Sequence, residues 1–316
     1  MAIRIGISSC LLGQKVRYDG GHKRESFLAD TFGRYVEWVP VCPELEMGLG
    51  VPREPIRLVA RDEHGGVRLV GVKSGADHTS AMEQYAKRRL DTLQRLDLCG
   101  YVLKKDSPSC GLMRVKVWNL HGMATKSGRG LFAVALTERF PQLPVEEEGR
   151  LSDARLRENF IERVFAYARL KTMFGGRWTA GHLVAFHAAH KLLLLAHSPD
   201  AYRRLGQLVA RASSANRRGL RASYETAFMD ALARLATRGR HVNVLQHMAG
   251  YLHDGLDLLS REELQQTIAD YRAGFVPLVV PITLVRHHVR HLGVAYLAGQ
   301  VYLEPHPKEL MLRNHV

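Results

Sequence analysis

The stretch IRIGISSCLLG, residues 3–13, decides how the first half of this chain is read. A short apolar run, 4–8, ends just before Cys10, and runs of this length bounded by polar residues read as buried strands. The same arrangement recurs twice. The run 35–41 leads to Cys42 in VPVCPE, and the run 101–104 leads to Cys110 in KKDSPSCG. In an open parallel sheet, ligands collect outside the carboxyl ends of the strands. Three thiols delivered to one such edge meet in space although they lie far apart in sequence. Cys99 precedes its strand instead of following it, so it is expected at the opposite edge as a packed core thiol.

Around these runs, strand and helix signals alternate. A short helix is expected over 23–33, a hairpin from 56–60 and 67–72, and an amphipathic helix over 80–96. Another strand is expected over 115–118, and 131–136 fits either strand or helix. This pattern predicts an α/β domain with a doubly wound, mostly parallel sheet over residues 1–150. The segment FPQLPVEEEGRLSD marks the boundary. Beyond it the periodicity is helical, which predicts an all-α domain over residues 151–316. Helices are expected over 183–197, 201–211, 222–238 and 242–252. A capping box at Ser260 and Glu263 opens a further helix over 264–271. A last helix runs from the Pro277–Pro281 region through residue 297.

Three thiols at one edge favour a metal centre over a disulfide. The opening MAIRIG carries no basic and apolar leader, so a cytoplasmic chain with reduced thiols is expected. Zinc and an iron–sulfur cluster both suit cysteine ligation. A cubane cluster normally takes four cysteines, so three leave one iron open to a substrate atom. Three unrelated buried thiols would also give this spacing. The chain has 45 Lys and Arg against 31 Asp and Glu, a net charge of +14. Most of the excess, and nearly all of it as arginine, falls in the second half. Arginine suits phosphate forks and base stacking, so an RNA partner is favoured over a membrane surface. No apolar stretch approaches bilayer length, and no obligate protein partner is evident.

The segments SSCLLG, VCPE, GLGVPREP and KKDSPSCG, in that order, resemble the thiouracil desulfidase (TudS-type) domain. The later segments FHAAHKLLLLAH, HMAGYL, PLVVPITL, GQVYLEPHP and ELMLRN resemble the helical YbgA-like domain. The fusion is similar to the RudS-type desulfidases that remove sulfur from 4-thiouridine in tRNA. The resemblance implies a [4Fe-4S] cluster held by Cys10, Cys42 and Cys110 with one open iron site. It also implies catalytic roles for Glu44 and Ser107. One departure is visible: after VCPE the short stand-alone enzymes have a Gly-Gly pair, and here residues 45–50 are LEMGLG. That stretch is expected beside the substrate pocket.

Several neighbours are candidates for substrate binding. Lys104 and Lys105 lie at a strand's carboxyl end, Arg53 lies in GVPREP, and Ser109 lies in the Cys110 loop. Asp19 and His22 are candidates to close over the site. The hydrolytic reading needs no external reductant: water attacks the thiocarbonyl carbon and hydrosulfide leaves. For RNA contacts the candidates are Arg217, Arg218 and Arg221 near SSANRRG, and Arg286 and Arg290 beside His287 and His291. His187, His190 and His197 invite a metal reading, though their spacing better suits helix packing. Two alternatives stand beside the tRNA reading. One is a desulfidase of free thiouracil-type bases, and the other is a non-catalytic zinc and RNA-binding module.

Overall fold

The structure is a computed structural model that describes residues 2–61, 66–119, 121–213 and 216–315. The chain divides into two compact units, Met1–Ser152 and Asp153–Val316. The tip of the expected 56–72 hairpin and part of SSANRRG lie outside the described residues.

Among the described residues the first unit contains eight strands: β1 (Arg4–Ser8), β2 (Glu37–Val41), β3 (Ile56–Ala60), β4 (Val67–Gly71), β5 (Gly100–Leu103), β6 (Val115–Trp118), β7 (Ala124–Gly128) and β8 (Val145–Glu147). Its helices are α1 (Pro43–Glu46), α2 (Thr79–Arg95) and α3 (Leu131–Arg139). The strands form two sheets rather than one. The order β2-β1-β5-β8 is parallel throughout. The order β4-β3-β6-β7 is mixed, with an antiparallel hairpin at each end. The α/β expectation therefore holds, and the second sheet is an addition to it.

In the parallel sheet the chain passes from β1 to β2 on one side, then returns to β5 on the other. A crevice opens outside the carboxyl ends at such a reversal. Ile5, Ile7, Val41, Val102 and Leu103 are buried. Burial on both faces explains why these strands read as continuous apolar runs.

Two local expectations are corrected and one left open is resolved. Residues 23–33 form no regular α-helix; the chain instead makes two short irregular turns, Phe27–Thr31 and Phe32–Arg34. The ambiguous stretch from Leu131 is a helix. The boundary segment supplies a strand, because Val145–Glu147 pairs with Tyr101–Leu103.

The second unit is helical: α4 (Ala154–Phe174), α5 (Ala180–His197), α6 (Pro199–Ala210), α7 (Arg217–Leu232), α8 (Arg238–Leu252), α9 (Leu258–Ala273), α10 (Val279–Leu292) and α11 (Ala295–Ala298). The run Leu192–Ala196 is buried at every position, which makes α5 a central helix. Each fully buried leucine contributes about 2 kcal/mol. The expected capping box at Ser260 is displaced: Asp257 Oδ1 accepts the Ser260 N–H at 2.7 Å, and α9 starts six residues earlier than predicted. The last long helix ends at Gly293, whose φ of 64° lies in the left-handed region. Arg217, Arg218 and Arg221 belong to the opening of α7 rather than to a loop. Among the described residues no helix is long and apolar enough to cross a membrane.

Candidate active site

The ends of β1, β2 and β5 open on a cavity of about 460 Å³. Cys10, Cys42 and Cys110 all line it, and all three are free and buried. Cys99 is buried as well but does not line the cavity. Burial pushes the Cys10 thiol up to about 11 and Cys42 up to about 12, and the Glu44 charge adds to both. Burial also pushes Cys110 well above the ordinary thiol range, with Glu44 again adding to it. Thiols raised in this way keep their protons at neutral pH.

Two of the cysteine loops are fixed from behind. Cys42 is the residue before α1, and Glu46 reaches back so that its Oε1 accepts the Cys42 N–H at 3.0 Å. Glu46 Oε2 is held by the Tyr85 hydroxyl at 2.7 Å and by Arg89 Nε at 3.1 Å. Part of the LEMGLG departure thus braces a thiol, and residues 45–50 do not line the cavity. The Cys110 loop is tied by Ser107, whose Oγ accepts the N–H groups of Ser109 (3.2 Å) and Cys110 (3.0 Å). Glu147 on β8 accepts from Leu112 N–H at 2.6 Å. Gly130 backs the same loop so closely that a Cβ there would lie 2.4 Å from the Ser109 backbone and 2.7 Å from Cys110 N.

Glu44 and Ser107 meet. The Ser107 hydroxyl donates to Glu44 Oε1 at 3.3 Å, and the Cys42 thiol donates to Glu44 Oε2 at 3.5 Å. Arg53 does not pair with Glu44. Its Nη1 donates to the carbonyls of Val16 and Gly50, at 3.0 and 2.9 Å, while the residue lines the cavity. Lys104 also lines it, but its Nζ is bound by Glu148 Oε1 at 2.5 Å. Lys105 lines the cavity and is exposed. Ser109 does not reach the cavity: it is fully buried, its carbonyl accepts from Phe132 N–H, and its Oγ has no partner among the described residues. Arg17 and Lys23 line the cavity although sequence reasoning passed over them. Their signal was position, since both lie in the loop that follows the first strand end. Asp19 and His22 of that loop do not line it.

The donor set fits a sulfur-ligated iron centre: three buried thiols face one space, with one carboxylate beside them. Among the described residues no three Cys, His, Asp or Glu side chains are gathered closely enough to hold one metal ion.

The expected RNA contacts all fall in the second unit. Arg217 and Arg218 are exposed in the first turn of α7. Arg221 lies 5.2 Å over the Phe174 ring. Arg286 is bound to Glu304, whereas Arg290 is largely exposed. The histidines of α5 are packed, in line with the helix-packing reading of their spacing. His187 meets the Tyr224 hydroxyl at 3.2 Å, and His190 meets the Phe186 carbonyl at 2.7 Å. His197 is buried against Glu162.

The 2-thiouracil desulfurase family matches residues 5–148, and the DUF1722 family of unknown function matches residues 191–307. The uncharacterized protein YbgA of Escherichia coli (strain K12) is 32% identical over 161 residues, covering 51% of this chain and 95% of that protein. The uncharacterized protein YbbK of Bacillus subtilis (strain 168) is 32% identical over 108 residues, covering 33% of this chain and 71% of that protein. A solved structure described as the [4Fe-4S]-dependent thiouracil desulfidase TudS is 32% identical, with a TM-score of 0.38. It covers 48% of this chain and 93% of that one.

Proposed function

We propose that sulfur removal from a thiolated uracil is the activity of this chain, which belongs to the 2-thiouracil desulfurase family through residues 5–148 and to the DUF1722 family through residues 191–307. The observation that carries this reading is the convergence of three buried thiols with the Glu44–Ser107 pair on one cavity. Cys10, Cys42 and Cys110 would hold a [4Fe-4S] cluster, the cofactor in the description of the solved desulfidase. With three protein ligands such a cluster supplies an open iron, a soft Lewis acid for a thiocarbonyl sulfur.

The chain's own residues account for the proton movements. Glu44 takes a proton from water as the water oxygen bonds to the ring carbon. The Ser107 hydroxyl, held by Glu44 Oε1, orients that water or the pyrimidine. Glu44 hands that proton to the sulfur as the C–S bond breaks, so the sulfur departs as hydrosulfide and the carboxylate is restored. The second water proton passes to solvent as the carbonyl forms. No electron is gained or lost overall, so no reductant is consumed.

A tRNA bearing 4-thiouridine is the substrate we favour. Arg17, Lys23 and Lys105 give the cavity cations that a free base does not need. In the helical unit, Arg217 and Arg218 occupy a helix N-terminus, where the dipole disfavours cations. A polyanion on that turn relieves the conflict. Phosphate contacts also offset the few kcal/mol needed to take a base out of its stack. A cytoplasmic setting suits the reduced thiols.

The test is anaerobic reconstitution with iron and sulfide, followed by incubation with thiolated tRNA and nucleoside analysis. Conversion of 4-thiouridine to uridine with hydrosulfide release is expected. Turnover of free thiouracil alone would move the assignment to the free base. Intact thiouridine and thiouracil with a fully loaded protein would remove it.

A further inference from the structure

A second cavity, of about 500 Å³, lies in the helical unit at the start of α8. Its floor is a closed ionic network. Glu162 Oε1 lies 2.5 Å from His197 Nε2, and Glu162 Oε2 accepts from Arg313 Nη2 at 3.3 Å. His197 Nδ1 lies 2.5 Å from the Arg234 carbonyl. Both ring nitrogens face acceptors, so His197 is an imidazolium. Arg313 Nε donates to Glu158 Oε1 at 2.9 Å. A purely structural role accounts for these bonds, because each is satisfied within the protein.

That role does not account for two other atoms. His241 lines the same cavity and is 6% exposed. Its Nδ1 meets the Tyr302 hydroxyl at 2.8 Å, and its Nε2 has no partner among the described residues. Burial pushes this imidazole down to about 3, so it is neutral and able to donate from Nε2. Asn159 is 8% exposed, and its Nδ2 donates to the Leu232 carbonyl at 2.9 Å. Its Oδ1 has no partner among the described residues. Both residues line the cavity, so a ligand there can supply the partner that the protein does not.

The mouth is basic. Arg155 and Arg238 line it, and neither pairs with a carboxylate among the described residues. Arg238 lies over the Tyr271 ring at 5.6 Å. The first turn of α8 adds backbone N–H groups without helical acceptors. Thr237 caps Arg240 N–H alone, and open space surrounds Gly239 where a side chain would stand. Cations and free N–H groups at the rim suit a phosphate. A hydrogen-bond donor and an acceptor deeper inside suit the edge of a base. The volume falls within the usual range for such ligands.

We infer that this cavity is a nucleotide site, with the phosphate held at Arg155, Arg238 and the first turn of α8, and the base edge met by Asn159 Oδ1 and His241 Nε2. The nucleotide is free or a unit of RNA; only the second source rests on the tRNA reading.

The test uses the full chain, with AMP and CMP as probes in calorimetric titrations and with unmodified tRNA in a separate binding assay. One nucleotide per chain is expected, with a Kd of about 1 mM or tighter. Arg155→Glu and Arg238→Glu, both at exposed positions, should each weaken it by about tenfold or more, with turnover of free thiouracil unchanged. If the same variants weaken tRNA binding, the nucleotide belongs to RNA. If tRNA binding holds while AMP binding falls, the ligand is a free nucleotide. A wild-type chain that takes neither AMP nor CMP at about 10 mM overturns the site even if tRNA binds. So does equal nucleotide affinity in both variants and the parent. AMP binding without tRNA binding keeps the site and removes the RNA reading.

Discussion

Ser107 Oγ stands 3.3 Å from Glu44 Oε1, joining residues that follow two different strands, β5 and β2. The same hydroxyl receives the N–H of Cys110, and the same carboxylate receives the thiol of Cys42. On the proposed reading, chemistry and ligand placement share atoms, and variants at these positions separate the two roles.

Glu44→Gln keeps the size and removes the base. Iron content should stay near that of the parent, while turnover falls by about 10² or more. Ser107→Ala should lower both, because two N–H groups of the Cys110 loop lose their acceptor. Iron assay and kcat on one preparation check this. Full activity in Glu44→Gln would remove Glu44 from proton transfer.

Replacing Cys10, Cys42 or Cys110 by serine should abolish iron binding after anaerobic reconstitution. Cys99→Ser should retain it, since that thiol is buried away from the cavity. Visible absorbance together with iron and sulfide analysis gives the answer. Equal losses in all four would refute the ligand assignment.

Gly130→Ala pushes a methyl group into the Ser109–Cys110 backbone. A forced shift of this kind costs about 1–3 kcal/mol. Cluster loading should fall even where the chain still folds. Gly20→Ala, with no atom within 4 Å of its Cβ but a φ of 75°, separates backbone strain from collision. Equal loading of Gly130→Ala and the parent would show that the loop yields freely.

Acid and base act on the helical unit through Glu158 and His197. Burial raises Glu158 to about 7, against the pull of Arg313. Burial lowers His197, but Glu162 outweighs it and the net shift is upward. Both groups hold a proton more tightly when folded. Their stabilisation is complete below the unfolded values, about 4.5 and 6.5, and is lost as pH rises through the folded ones. Glu162 is shifted the other way: burial raises it, His197 and Arg313 prevail, and it falls to about 2. Its contribution fails only as pH drops from about 4.5 towards that value. His187, His190, His241 and His306, all lowered by burial, act in the opposite direction as pH falls below about 6.5. The Glu158 share is therefore read from a variant: the Tm of the parent minus that of Glu158→Gln should be larger at about pH 5.5 than at about pH 8. A difference that stays the same at both pH values would contradict this charge assignment.

Charge reversal at Arg217 and Arg218 should weaken tRNA binding and reduce its salt slope by about one for each phosphate that is no longer neutralised. Turnover of free thiouracil should not change. Affinity measured across a salt series checks it, and an unaltered slope would place the RNA surface elsewhere.

The three cysteine loops were legible because an apolar run ending at a thiol carries its own geometry. Strand direction and the parallel rule brought Cys10, Cys42 and Cys110 to one edge without knowledge of any contact. The supports were not legible. Val145–Glu147 has the composition of a charged loop, and only pairing with β5 makes it a strand. Glu147 and Glu148 therefore gave no hint that they hold the Cys110 loop and Lys104. The start of α9 was misplaced because Ser260 and Glu263 imitate a capping box while Asp257 forms the bond. Ser109 was overvalued for its nearness in sequence to Cys110; its carbonyl faces α3.

The short edge strand β8 gives the junction between the halves a mechanical meaning. Glu147 grips the backbone beyond Cys110, Glu148 grips Lys104, and the chain enters the helical unit at Asp153, five residues later. Any tug or fraying at that tether arrives at a thiol loop after a single strand. A trimmed version of the first half that stops short of Glu147 would forfeit both grips on the thiol-lined cavity, however intact its cysteines remain.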